Sequence, residues 1–187
     1  MRLTKYLNDD SDISGREGEI LLRKEIPNDC YYKSIKSLYL LDEERYSHQI
    51  DQLLIRHNGI FCIEVKNYKG QIFGKEYDEK WVQKIGDEIH YLYNPIKQNY
   101  VHRKVVEYTL DNKYKVISLI VFNRNNISHI DADNVISLKQ FSKYISNHKS
   151  DALLTNDEID EIFNVIALKA PKKIDFRKHK MREKWEK

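Results

Sequence analysis

The segment Gly59-Ile60-Phe61-Cys62-Ile63-Glu64-Val65-Lys66 has the apolar, β-branched and aromatic character of a buried strand, yet it carries a carboxylate and an ammonium. Side chains alternate along a strand, so Glu64 and Lys66 share one face with Cys62 and Ile60, while Phe61, Ile63 and Val65 take the other. Two charges at the end of an apolar strand are costly to bury unless they pair or hold a metal. Gln49 to His57 reads as a second strand, and Asn58-Gly59 is a two-residue hairpin signal. That turn would set His57 opposite Ile60, Asp51 opposite Lys66, and Glu64 opposite Leu53, diagonal to Asp51. Opposed Cβ atoms lie roughly 4.5–5.5 Å apart and diagonal neighbours about 7–8 Å, so both carboxylates could reach one cation between them. The competing reading is a salt-bridged hairpin, Asp51 or Glu64 with Lys66. An E-x-K triplet alone is weak, since surface strands carry such pairs often.

These groups need elements to position them. Ser14-Gly15-Arg16-Glu17 fits a capping box, which opens a helix to about Ile26, stopped by Pro27. Glu17 then has a structural role. Glu19 lies on the helical side shared with Gly15, Leu22 and Ile26. Gly15 and Gly18 flank that side and would let the backbone approach another element closely. Glu19 is therefore favoured over Glu17 as a carboxylate aimed at the site; the competing reading is an exposed first-turn acid favoured by the helix dipole. Strands are expected at Tyr31 to Leu41, Gly70 to Gly74, Trp81 to Ile85 and Glu88 to Tyr93, the last two as a hairpin around Gly86-Asp87. Asn94-Pro95 starts a helix, with Asn as cap and Pro at the first helical position. Gln98, Val101, His102, Val105 and Thr109 share one face of it. Gln98 and His102 then either reach the end of the sheet that carries Glu64, or are a cap-proximal Gln and a partly exposed His. Val116 to Phe122 reads as a buried central strand and Val135 to Leu138 as another, with a polar loop from Asn123 to Asn134. Lys139 to Asn147 and Asn156 to Lys169 read as helices, the second capped by Thr155 or Asn156. Six strand candidates before residue 94, largely antiparallel, favour a mixed α/β (α+β) sheet over a doubly wound one.

The 187 residues are 41% hydrophobic and 33% charged, which suits one soluble globular domain, expected over residues 1–170 with its motif core at 15–122. No run approaches the apolar length of a membrane span, and Met1 to Ser14 has no apolar signal core, so the expected compartment is the cytoplasm. Cys30 and Cys62 form no metal-binding pattern and no disulfide framework. The net charge of +3 hides a gradient: residues 171–187 hold eight Lys/Arg and three Asp/Glu, and the remainder 24 against 26. A near-neutral body with a basic tail does not announce nucleic-acid binding by charge alone. The chain has no internal repeat, P-loop or dinucleotide glycine signature.

Glu19 on an early helix, Asp51 on one strand, Glu64-Val65-Lys66 on the next, and Asn94-Pro95 with Gln98 and His102 on a helix resemble the nuclease-related domain (NERD). That family is similar to the PD-(D/E)XK nuclease superfamily. The resemblance spans about Gly15 to Leu110 and includes Gly15-x-x-Gly18-Glu19, Gln49-Ile50-Asp51, Glu64-Val65-Lys66-Asn67-Tyr68, Gly70, Trp81 and Asn94-Pro95. It departs from the superfamily's Pro-Asp motif, since Ile50 precedes Asp51. It implies a roughly four-stranded central mixed sheet flanked by helices, and hydrolysis of phosphodiester bonds dependent on Mg²⁺ or Mn²⁺. It further implies that Asp51, Glu64 and the Val65 carbonyl hold the metal. Lys66 would orient water or stabilise charge on the phosphate, Glu19 would act through a water, and Gln98 would hold the nucleophile or phosphate. Glu17, His102 and Asn67 are candidates for substrate contact. The expected partner is nucleic acid, DNA ahead of RNA, with no membrane. A homodimer and a separate helicase or kinase partner both stay open. The second function reading is a nucleic-acid-binding or interaction module that keeps the fold with little catalysis.

Overall fold

A computed structural model describes residues 15–171. The Ser14 cap and the basic tail beyond Pro171 lie outside the described residues. In chain order the elements are α1 (15–24), β1 (Tyr32–Leu41), β2 (Ser47–Arg56), β3 (Gly59–Lys66), β4 (Gln71–Lys75), β5 (Lys80–Ile85), β6 (Glu88–Tyr93), α2 (Pro95–Thr109), β7 (Val116–Phe122), β8 (His129–Asp131), β9 (Val135–Ser137), α3 (Leu138–Asn147) and α4 (Asn156–Lys169). The fold is mixed α/β, consistent with a nuclease-like core. The main sheet has five strands rather than four, in the order β1-β2-β3-β7-β9. β1, β2 and β3 are antiparallel neighbours; β7 is parallel to β3, and β9 is parallel to β7. A second sheet has the order β6-β5-β4-β8. Its strand β8 arises inside the stretch expected to be a polar loop. Three residues with one apolar side chain, Ile130, give too short a pattern to read, and pairing with β4 is what makes them a strand.

Alternation along β2 and β3 sends one set of apolar side chains to each face of the main sheet. Leu53, Ile55, Ile60 and Cys62 pack with Val105 and Val106 of α2 and Ile159, Ile162 and Ile166 of α4. Leu54, Phe61, Ile63 and Val65 pack with Leu22 of α1 and Phe141 and Ile145 of α3. Each such side chain contributes about 1.5–3 kcal/mol when fully buried, so a slip of one residue, which would exchange the faces, is strongly disfavoured.

The β2–β3 register differs from the expected one by two residues. Arg56 pairs with Gly59 and Gln52 with Ile63, so the turn is His57-Asn58 and Gly59 already belongs to β3. A slip of two keeps every side chain on its face but changes the opposed pairs. The reason is tertiary. Asn58 does not adopt the left-handed conformation that a type I′ Asn-Gly turn requires. Its buried side chain instead donates to the Ile145 and His148 carbonyls at the end of α3, at 2.8 and 3.1 Å.

The second sheet is anchored beyond the C-terminal ends of the parallel strands. β3 leads into β4 through residues 67–70, and β7 leads on to β8. Trp81 and Ile72, both fully buried, pack with Phe122 and Ile120 of β7. A Cβ on Gly74 would lie 2.3 Å from the Trp81 indole, so this close approach requires glycine. Asn94 then fixes where α2 begins. Its side chain accepts from the Ile96 N–H at 2.9 Å and donates to the carbonyls of Glu76 and Asp78 at 2.9 and 2.7 Å. The N-terminus of α2 is thereby tied to the β4–β5 loop. Among the described residues, no helix is long and apolar enough to cross a membrane.

Candidate functional site

At the C-terminal end of β3 the β2 strand separates while β7 stays paired as far as Lys66, and on the β2 side a side chain takes over the backbone pairing. The β2–β3 ladder stops at Gln52–Ile63. Asp51 Oδ2 accepts from the Val65 N–H at 2.9 Å. On the other side, β1 pairs Lys36 with Gln52 and Leu38 with Ile50, skipping the position between. That position is Ser37, which adopts a left-handed φ of 45°, uncommon for a residue with a side chain. Asp51 thus sits where both ladders open. Continued at the observed register, it lies opposite Glu64 rather than Lys66.

Glu64 is almost fully buried, and both oxygens meet cation-capable groups. Lys66 Nζ donates to Oε1 at 2.6 Å. His102 Nδ1 lies 3.2 Å from Oε2, but off the hydrogen-bonding direction, so neither atom has an aligned partner. Lys66 Nζ also donates to Gln98 Oε1 at 3.0 Å and lies 5.9 Å from the centre of the Tyr68 ring. Gln98 and His102 therefore do reach the sheet end that carries Glu64. What seats α2 there is Asn99, which sequence reasoning passed over. It is fully buried, and its side chain donates to the Cys62 carbonyl and to Ser118 Oγ, each at 2.9 Å. The available signal was an amide residue inside a helix, where it is unfavourable unless partnered. Behind His102, His48 stands 6.1 Å away ring to ring and reaches Asp42 Oδ2 at 3.0 Å.

α1 crosses the same end. A Cβ on Gly18 would lie 2.1 Å from Asn123 Nδ2 and 3.2 Å from Val65 Cγ1, so the bare backbone is what permits this approach; Gly15 has nothing within 4 Å. Glu19 accepts from Ser37 Oγ at 3.0 Å, with Arg23 3.8 Å away. Its side chain is 14% exposed, whereas Glu17 is exposed to solvent. Asn67 directly follows β3.

The electrostatics are unbalanced. Burial, then the Glu64 carboxylate, pushes Asp51 up to about 7; Lys66 and the Val65 N–H oppose this, and Glu19 adds to it. Burial alone would raise Glu64 as well, but the Lys66 ammonium and His102 hold it well below the usual carboxylate range. Burial works against the Lys66 charge, yet Glu64, Tyr68 and Asp51 raise its pKa, so it stays an ammonium. No three His, Cys, Asp or Glu side chains converge as a metal cluster among the described residues. The donors at hand are the carboxylates of Asp51 and Glu64, with one Glu64 oxygen lacking an aligned partner, and the main chain at Val65. An all-oxygen set of one or two carboxylates that leaves room for waters suits a hard cation such as Mg²⁺.

Residues 14–123 match the nuclease-related domain family. The chain belongs to that family. It is also 30% identical over 161 residues to an uncharacterized protein of Bacillus anthracis, an alignment covering 81% of this chain and 74% of the relative. No solved structure matches it. The family match spans α1, the β1–β3 unit, the whole second-sheet hairpin region, α2 and β7, and so includes every candidate residue from Glu17 to His102.

Proposed function

We propose that this NERD protein is a metal-dependent nuclease that hydrolyses phosphodiester bonds in DNA. The observation that carries the reading is the excess of acid at the open end of β3: half-buried Asp51 beside buried Glu64, with one ammonium paired to Glu64 and a carboxylate oxygen without an aligned partner. Two adjacent carboxylates with a single lysine are costly in a protein interior unless a cation completes them.

In this reading Asp51, Glu64 and the Val65 carbonyl hold Mg²⁺ or Mn²⁺. Such an ion supplies polarisation of the scissile phosphate and makes water a better nucleophile at neutral pH. Lys66 provides a fixed positive charge for the phosphate oxygen on which negative charge accumulates. Gln98 orients Lys66 through its Oε1 and leaves its amide N–H₂ for the phosphate or the attacking water. His102 braces Glu64 against the sheet. Glu19, held by Ser37, faces the Asp51 side and accepts a hydrogen bond from water there.

Purified protein incubated with plasmid, linear duplex, single-stranded DNA and RNA tests this, with Mg²⁺ or Mn²⁺ against EDTA. The expected result is cleavage with either ion and none in EDTA. Cleavage by metal-stripped protein in EDTA would remove the metal mechanism. Binding without cleavage in any metal would leave the chain a nucleic-acid-binding module.

A further inference from the structure

The second sheet has one face buried and one open. Trp81, Ile72 and Ile130 turn inward onto Phe122. Alternation sends their neighbours outward, and strand register aligns these into one row: Tyr91 opposite Val82, Val82 opposite Phe73, and Phe73 opposite His129. The row crosses all four strands and carries three aromatic rings. Tyr91 is 72% exposed, and neighbouring Ile89 is 59% exposed. Phe73 and His129 stack face to face, with centres 4.5 Å apart and planes 13° apart, so Phe73 backs the exposed His129 ring and holds it in a fixed orientation. A large apolar area left open on a sheet marks a place where something binds.

Charge indicates what binds. The outward positions of β4 and β5 include Lys75, Lys80 and Lys84, against one outward acid, Asp131 of β8. None of the ion pairs among the described residues engages these lysines. Flat rings interleaved with cations, on a sheet, match the two demands of an unpaired nucleic-acid strand: faces for its bases and counter-charge for its backbone.

We propose that the outward face of the second sheet is a stacking platform for a single strand of nucleic acid, with Tyr91 and the Phe73-backed His129 under the bases and Lys75, Lys80 and Lys84 along the phosphates. The location suits a substrate-holding role. β4 begins five residues after Lys66, and α2, which brings Gln98 and His102, leaves directly from β6. This role rests on the nuclease reading; binding by the platform does not.

Fluorescence anisotropy with labelled single-stranded DNA, single-stranded RNA and a matched duplex, all in EDTA, separates the two. The expected result is tighter binding of single strands than of duplex. Tyr91→Ala and His129→Ala should each weaken single-strand binding, by roughly fivefold to a hundredfold for a stacked base. Tyr91→Trp should restore it. Replacing the three lysines with Gln should lower the salt slope by about 2. RNA bound as tightly as DNA means the platform reads bases without reading the sugar, and preference for one assigns the strand type. Wild-type affinity in the Tyr91→Ala/His129→Ala double variant overturns the proposal. So does a dimer seen by sedimentation that Tyr91→Ala dissolves while binding is unchanged. No cleavage is needed in this assay, so its failure leaves the metal site standing, and failure of metal-dependent cleavage leaves the platform standing.

Discussion

The β2–β3 hairpin buries charge at both of its ends, and the two ends are built differently. Near the turn, Arg56 is fully buried, and it donates to Asp29 Oδ1 at 2.7 Å and to the Pro27 carbonyl at 3.2 Å. Asp29 in turn accepts from Ser146 Oγ at 2.6 Å. The Ser146 hydrogen bond, then Arg56, lowers the Asp29 pKa. One cation meets one anion there, and the pair clamps the loop after α1 to α3. At the open end, one ammonium, Lys66, faces Glu64 and Asp51, with Glu19 acting on Asp51 from α1. Arg56 is fully buried but its partner Asp29 is 46% exposed, whereas Lys66 and Glu64 are both largely covered; a buried charge stands at each end, so a buried charge alone does not mark a working site. The difference is the balance of charge. A balanced pair finishes a structure, whereas an excess of carboxylate leaves a requirement that a cation can meet.

The largest effect that would break this comparison comes from removing one acid at each end. Asp29→Ala leaves the Arg56 guanidinium buried with a carbonyl, and Glu64→Gln leaves the Lys66 ammonium without its carboxylate. Glu64→Gln should lower stability by about 3–5 kcal/mol in denaturant titrations, the usual result of stranding a buried charge, and Asp29→Ala by less, because water already screens the half-exposed Asp29. Only Glu64→Gln should also abolish metal-dependent cleavage, by a factor of about 10²–10³ or more. Equal loss of cleavage in Asp29→Ala, measured where both variants remain folded, would erase the distinction between the ends.

Metal should sharpen it. Thermal melts of wild type in saturating Mg²⁺ or Mn²⁺ should show stabilisation, about 2.7 kcal/mol at a hundredfold excess over Kd. Asp51→Asn should lose that stabilisation, and Asp29→Ala should keep it. Ca²⁺ should stabilise without supporting good cleavage, because its longer and looser coordination positions water poorly.

Asp51 supplies a pH test of smaller size. Its folded pKa, about 7, is above the usual unfolded value near 3.9. In EDTA the folded protein therefore holds a proton that the unfolded chain has released, and stability falls as pH rises between these values. Asp51→Asn removes the cost. It should be more stable than wild type at pH 8, by on the order of 1–2 kcal/mol, with the difference vanishing near pH 4. Paired denaturation curves at pH 4, 6 and 8 read this directly. A variant less stable than wild type at pH 8 would mean that the hydrogen bond to the Val65 N–H outweighs the repulsion.

Much of this arrangement could be read from residues. The face assignments along β3 depend only on alternation, and they held even though the hairpin register did not. A two-residue slip preserves faces, which is why Asp51, Glu64 and Lys66 came together from an incorrect pairing. What alternation cannot supply is the turn, because Asn58 is committed to carbonyls 87 and 90 residues away. The seat of α2 was hidden for a similar reason. Helical periodicity placed Gln98 and His102 on one face, but Asn99, one turn before His102 and left out of that pattern, makes the contacts with β3 and β7. Ser37 was invisible because only the opening of two ladders around Asp51 gives its left-handed backbone a purpose. β8 was missed because its three residues are a strand only beside β4.

The smallest expected effect concerns the two acids of α1. Glu17 is exposed, and its proposed cap partner lies outside the described residues, while Glu19 is held by Ser37 beside Asp51. Glu19→Ala should lower the cleavage rate more than Glu17→Ala, because it removes a carboxylate whose field reaches Asp51. The loss should be smaller than for Asp51→Asn or Glu64→Gln, since Glu19 offers only a route through water. For Glu17→Ala, a fall in stability of about 0.5–2 kcal/mol would show that it completes a helix cap. Single-turnover cleavage and denaturant midpoints on the two variants separate the roles. Glu19→Gln refines the point: it keeps a group able to hydrogen-bond Ser37 but removes the charge. If Glu19 serves only to hold Ser37 in place, Gln should restore the wild-type rate. If its charge acts on the site, Gln should be as slow as Ala while melting like wild type.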